Sequence, residues 1–158
     1  MTKYAGKSGL IISMLDGLDT GYYAVQPNPE RPHIDFMRVS RPTDKRSRFK
    51  DSIKVQTQHA DMLLDKWAYW PGRDLLYTTP GIEDLILILL ANKRKAGRLY
   101  AEQLGNCHRC NTHLTDERSR HYGFGPECEK YLEAEKDEID DENNGSYEDL
   151  LMAGKLGV

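Results

Sequence analysis

Apolar and polar positions along the chain change their period several times. Residues 9–15 (Gly-Leu-Ile-Ile-Ser-Met-Leu) are almost continuously apolar and predict a first strand, and residues 22–26 predict a second. The segment Pro27-Asn28-Pro29-Glu30-Arg31-Pro32 ends regular structure, because each proline fixes φ and removes a donor. Residues 33–39 then alternate polar and apolar, with Ile34 and Phe36 on one face. Residues 52–57 alternate again, with Ile53 and Val55 on one face. That is the period of half-buried strands. With Arg41-Pro42-Thr43-Asp44-Lys45 as a turn, the region predicts a small antiparallel sheet.

Farther on the period becomes helical. Residues 61–69 predict a short helix ended by Pro71-Gly72. Ile82, Leu85, Ile86, Leu89 and Leu90 form an apolar stripe that a helix would lay on the sheet. Thr79 suits its cap, Pro80 its first turn, and Glu83 and Asp84 its positive end. Lys93, Arg94, Lys95 and Arg98 suit its later turns, so one long helix is expected to reach Leu104 and stop at Gly105. A last helix is expected to begin at Pro126 and fade into residues 135–144, which have few apolar positions and read as solvated or disordered. Tyr147, Leu150, Leu151 and Met152 form a small amphipathic patch suited to docking.

The expected architecture is therefore α+β. A small antiparallel sheet packs on a long helix in a body of residues 1–104. A metal-binding module of residues 105–135 and an acidic, flexible tail of residues 136–158 follow. At 158 residues the chain is long enough for one core and a small satellite. The longest apolar run, residues 85–91, is too short to cross a bilayer, and the N-terminus lacks the apolar core of a signal peptide. A cytoplasmic protein is expected. Three cysteines, an odd count containing a Cys-x-x-Cys pair, point to metal or redox chemistry rather than a secreted disulfide framework. Net charge is −3, but unevenly spread. Residues 127–149 hold eleven acids and two bases, net −9, so the rest of the chain is basic.

The chemistry concentrates between Cys107 and Cys128. Two cysteines separated by two residues place both thiolates on one metal from a tight turn, and Asn111 tolerates the left-handed backbone such a turn needs. Gly125 and Pro126 put Cys128 in the first turn of a helix, where the dipole favours a thiolate. A knuckle, a short hairpin and a helix start make a treble-clef or zinc-ribbon-like arrangement around one structural Zn2+. For the fourth ligand His121 is favoured, with His113 as the alternative, and Asp116 or a group from elsewhere remains open. His108, inside the knuckle, is read as pointing outward. Leu114 is expected under the knuckle, Thr115, Asp116 and Ser119 as turn and capping residues, and Gly123 and Gly125 at unusual backbone angles. The deaminase order of His-x-Glu before Pro-Cys-x-x-Cys is absent, and no thioredoxin-like context surrounds the pair.

The pattern Cys-x-x-Cys-Asn-x-x-Leu-Thr-Asp-x-x-Ser-x-x-x-Gly-x-Gly-Pro-x-Cys resembles a small zinc-ribbon-like domain of unknown function found in bacteriophage proteins, especially of phages infecting actinobacteria. The upstream Gly21-Tyr22-Tyr23-Ala24-Val25 and Phe36-Met37-Arg38-Val39-Ser40-Arg41-Pro42 are similar to the N-terminal part of such proteins. The resemblance implies phage origin, a host-cell cytoplasmic location, a zinc module held by the three cysteines, and loosely a nucleic-acid context.

Three classes of function follow. A nucleic-acid-associated binding protein would use the bases around one hairpin, Arg38, Arg41, Lys45, Arg46, Arg48, Lys50 and Lys54. Arg109, Arg118 and Arg120 would add charge beside the metal, and Tyr22, Tyr23 and Phe36 would offer stacking faces. A protein-binding effector would engage a host factor, with the acidic tail as nucleic-acid mimic or docking segment. An enzyme is the third class, but no catalytic motif is found.

Overall fold

The computed structural model describes residues 4–59 and 62–154. A five-stranded antiparallel sheet in sequential order is built from β1 (Gly21–Val25), β2 (Asp35–Ser40), β3 (Ile53–His59), β4 (Met62–Trp70) and β5 (Leu75–Thr78). Before it comes α1 (Gly6–Ser13), and after it α2 (Ile82–Ala91) and α3 (Lys93–Leu104). Four short helices follow: α4 (Glu117–Tyr122), α5 (Pro126–Glu129), α6 (Glu133–Glu142) and α7 (Tyr147–Met152). The α+β class and the strands expected over residues 22–26, 33–39 and 52–57 match the sheet.

One sheet face makes the main core. Tyr23, Val25, Met37, Val39, Val55 and Trp67 pack with Ile11 of α1 and with Ile82, Ile86 and Leu89 of α2. Burying each large apolar side chain contributes about 1.5–3 kcal/mol. The Trp67 indole donates to Ser8 Oγ at 3.1 Å, so its one polar atom is satisfied inside the core.

The structure corrects several expectations. Residues 9–15 are not a strand. They fall largely in α1, which buries Ile11 but leaves Leu10 half exposed. A short apolar run has no period by which to tell a buried strand from a helix. In β2 the inward side chains are Met37 and Val39, whereas Phe36 lies on the opposite face. The expected helix over residues 61–69 is strand β4, and residue 61 itself lies outside the described residues. Its period was two: Trp67 and Tyr69 point into the core, and Lys66 and Ala68 point away. Pro71-Gly72 turns the chain into β5, with the Arg73 N–H on the Trp70 carbonyl at 3.1 Å.

The long helix is two helices. Asn92 adopts φ −154°, and its side chain accepts from Lys95 N–H, capping α3. Asparagine competes well for cap positions, and here it breaks the helix between two good helical segments. Thr79 does not cap α2. Gly81 occupies that position, and Thr79 instead bonds β4 at Lys66. Gly105, in the left-handed region at φ 68°, ends α3 as expected.

Helix α3 lies beside edge strand β1 and serves two cores. Ala96 faces the sheet core, while Ala101 faces a second core with Cys107, Leu114, Tyr122, Phe124, Cys128 and Ile139. The acidic segment is not a solvated coil. In α6, Ile139 is completely buried in the second core. Tyr122 Oη donates to Asp140 at 2.8 Å and accepts from the Tyr147 N–H at 2.8 Å, tying α4, α6 and α7 together. Ser146 and Asp149 form a reciprocal capping box on α7, and Leu150 of the amphipathic patch is buried. Residues 155–158 of the expected tail lie outside the described residues.

Candidate metal centre

The knuckle grows from the end of α3. The Leu114 N–H bonds the Gly105 carbonyl at 2.8 Å, and Asn106 and His113 form a single bridge. Inside this loop the Cys107 N–H bonds the Thr112 carbonyl at 2.8 Å, and the Asn111 N–H returns to the Cys107 carbonyl at 2.7 Å. Closing so tight a turn puts Asn111 at φ 65°, a conformation asparagine tolerates better than most residues. Cys128 arrives from the other side in α5, which starts at Pro126 behind Gly125. Its thiol meets those of Cys107 and Cys110, and all three sulfur atoms lie within 4.8 Å of one another. In a tetrahedral zinc site with bonds of about 2.3 Å, sulfur atoms stand roughly 3.8 Å apart. The soft donor set and the spacing both fit one metal ion.

Cys107 and Cys128 are buried and Cys110 is exposed. Burial works against ionising Cys110, but hydrogen bonds from Thr112 and the two neighbouring thiols outweigh it and lower its pKa. Burial above all pushes Cys128 upward, while Arg109, whose Nη1 lies 3.6 Å from its sulfur, pulls the other way. A cation centred among the three sulfurs removes that conflict, since thiolates rather than thiols ligate it.

What holds the knuckle in place was missed in the sequence. The His108 ring does not point outward. It is buried, its Nε2 is 3.1 Å from Glu135 Oε2 of α6, and it rests on Gly97 of α3. Its carbonyl accepts from the Tyr22 N–H at 2.5 Å, at the edge of β1. One residue between Cys107 and Cys110 thus touches the sheet, α3 and α6. No motif announces this, because the contact depends on a glycine eleven positions upstream. A Cβ at Gly97 would stand 2.9 Å from His108 Nδ1. Gly97→Ala is therefore expected to destabilise the protein by about 1–3 kcal/mol despite alanine's better helix propensity, read as a lower midpoint in urea unfolding.

The histidines expected as fourth ligand are elsewhere. Neither His121 nor His113 belongs to the group of ligand atoms within 4.8 Å. His121 sits on α4, which replaces the expected hairpin, with its ring edge-on to Tyr122 and tilted against Tyr147. Burial, then Arg98, lowers its pKa. His113 Nδ1 lies 3.3 Å from Asn106 Oδ1. Asp116 caps α4 by accepting from the Ser119 N–H, as a capping residue should. Leu114 is buried with Cys107 as expected. Gly123 ends α4 at φ 85°, but Gly125 has an ordinary φ of −82°. Cys110 and Cys128 both line an opening shared with Thr112 and Glu127, so the free side of the sulfur cluster faces the surface.

The bases expected at a nucleic-acid surface have divergent roles. Arg41 is tied to Thr20 Oγ1 and the Leu18 carbonyl at 3.0 and 2.7 Å. Lys50 pairs with Asp51, and Arg120 Nε reaches the Leu114 carbonyl. Arg109 lies over the Tyr131 ring, 4.0 Å from its centroid. Lys45 and Arg46 are exposed in the β2–β3 connection, and Arg48 stands over Phe49.

Among the described residues no helix is long and apolar enough to cross a membrane. No curated protein and no solved structure matches the chain. Residues 97–133, which run from the glycine under His108 to the first residue of α6, match a family of unknown function (DUF6011).

Proposed function

We propose that the chain is a zinc-stabilised accessory protein that acts by binding, in a nucleic-acid context. The convergence of three thiols within 4.8 Å carries the reading. Cys107 and Cys110 from the knuckle and Cys128 from the helix start hold one Zn2+ in a treble-clef-like arrangement. The fourth ligand approaches from the open side, beside Thr112 and Glu127. The zinc is structural: it clamps the knuckle, and His108 passes that rigidity to β1, α3 and α6. Asn111 passes it further, accepting from the Tyr100 hydroxyl at 2.7 Å, and Tyr100 supports Tyr22 and Phe36 on the sheet.

The acidic segment favours nucleic acid over the reading as a mimic or docking tail. Four of its eleven carboxylates are engaged with this chain's own arginines: Glu138 and Glu142 with Arg94, and Glu129 and Glu148 with Arg118. Phage origin and action in the host cytoplasm rest on the motif resemblance alone.

Elemental mass spectrometry of the purified protein tests the centre. About one zinc per chain is expected, lost in Cys110→Ser and kept in His113→Ala and His121→Ala. Protein purified without chelator that contains no metal would end this reading. Loss of zinc in His121→Ala would restore that histidine as the fourth ligand.

A further inference from the structure

The sheet has a second face, turned away from α1 and α2. Across it, Tyr22, Arg38, Gln56 and Lys66 stand in register on four successive strands. The next row holds Ser40, Lys54, Ala68 and Tyr77. Strands lie about 4.8 Å apart, so Arg38, Lys54 and Lys66 form one compact group of cations. The β2–β3 connection folds Phe49 onto Ala68 and Trp70. Lys54 Nζ and Lys66 Nζ then stand 4.8 and 5.2 Å from the Phe49 ring centroid, and the Arg48 guanidinium stands 5.4 Å from it. Lys66 was not expected here, because its segment reads as a helix in the sequence.

These four cations crowd together on one face. Among the described residues, none of Arg38, Arg48, Lys54 and Lys66 forms an ion pair, whereas Arg94 and Arg118 are each paired twice. Burial, then Lys66 and Arg38, lowers the Lys54 pKa, the mark of cations crowded without a counter-charge. Aromatic rings border them: Tyr77 is 41% exposed, and Tyr22 lies under Arg38 at 5.5 Å.

We propose that this face is the docking surface for a single-stranded nucleic acid. Its phosphates lie against Arg38, Arg48, Lys54 and Lys66, and a base stacks on Tyr77. The inference rests on the nucleic-acid reading above and names the site within it. The exposed Tyr77 ring beside the cations suits an unpaired base, whereas a duplex hides its base faces in the stack. Stacking also sets a nucleic acid apart from an acidic peptide, which would satisfy the cations but not the ring.

Fluorescence anisotropy of dye-labelled twelve-nucleotide dT and U oligomers, titrated with the zinc-loaded full chain at low and moderate salt, tests the proposal. Wild type is expected to bind with strong salt dependence. The triple variant Arg38→Gln/Lys54→Gln/Lys66→Gln should weaken binding at least roughly 30-fold, and Tyr77→Ala about tenfold. The loop variant Lys45→Gln/Arg46→Gln should change it less than about threefold. Thermal melts check that each variant folds. Should the triple variant unfold, Lys54→Gln and Lys66→Gln alone should each lower the salt slope by about one. Wild-type affinity in the face variants would overturn the assignment while leaving nucleic-acid binding intact. No binding by wild type would overturn both. Equal or tighter binding of a duplex, or displacement of the oligomer by polyglutamate at equal charge, would overturn the single-stranded ligand.

Discussion

Cys128→Ser is expected to cost the protein its metal and much of the order between Cys107 and Cys128. Serine is a poor zinc ligand, so two thiolates would remain where the spacing provides three. Cys128 also sits in the second core beside Tyr122 and Phe124, where a hydroxyl must be desolvated. Structural zinc contributes roughly 10 kcal/mol or more to small metal modules, although the part shared with the rest of this fold is smaller. A loss of about 4 kcal/mol, or roughly 10 °C in Tm, is expected for a chain of this size. Cys110→Ser provides the control. Cys110 is exposed, so its replacement removes the metal with little packing loss. In excess chelator, wild type and Cys110→Ser should melt together, and Cys128→Ser should melt lower. Three identical melting curves with and without chelator would show that no metal supports the fold.

Ile139→Ala is expected to destabilise the protein by about 2–5 kcal/mol, as large-to-small changes in packed cores do. Ile139 is completely buried, in a helix whose composition otherwise suits a solvated coil. Deleting its side chain leaves a cavity beside Tyr122 and Phe124 and weakens the packing that brings Glu135 to His108. The helix has little intrinsic reason to form alone. It is short, its seven acids repel one another, and its first turn carries the only favourable dipole contacts. Chemical denaturation should show the loss as a shifted midpoint with an unchanged slope. Zinc should be retained, because no ligand is touched. An unchanged midpoint would mean that α6 does not dock in solution and that the acidic segment is the free tail its composition suggests.

The parts legible in the sequence are those governed by local chemistry. The strand over residues 52–57 follows from alternation, and the end of α3 follows from a glycine that relaxes at φ 68°. The knuckle follows from two cysteines, two residues apart, and an asparagine able to turn between them. Where the outcome depended on a partner distant in sequence, local pattern misled. An apolar run became α1 because α2 supplied one face for it to cover. A segment read as helix became β4 because β3 was available to pair with it. An acidic run became α6 because one isoleucine reached a core made by residues 101–128.

The same division runs through the site. Sequence by itself determined which residues have metal chemistry, since thiolates at this spacing suit a soft cation whatever surrounds them. Tertiary structure decided what the centre is fastened to and which cations stand together. His108 turns inward because Gly97 leaves space for its ring, and Lys66 joins Arg38 and Lys54 only once three strands are in register. Coordination chemistry belongs to residue types and short spacings. The sharing of a surface belongs to the folded chain, because it depends on distances that no window of sequence contains.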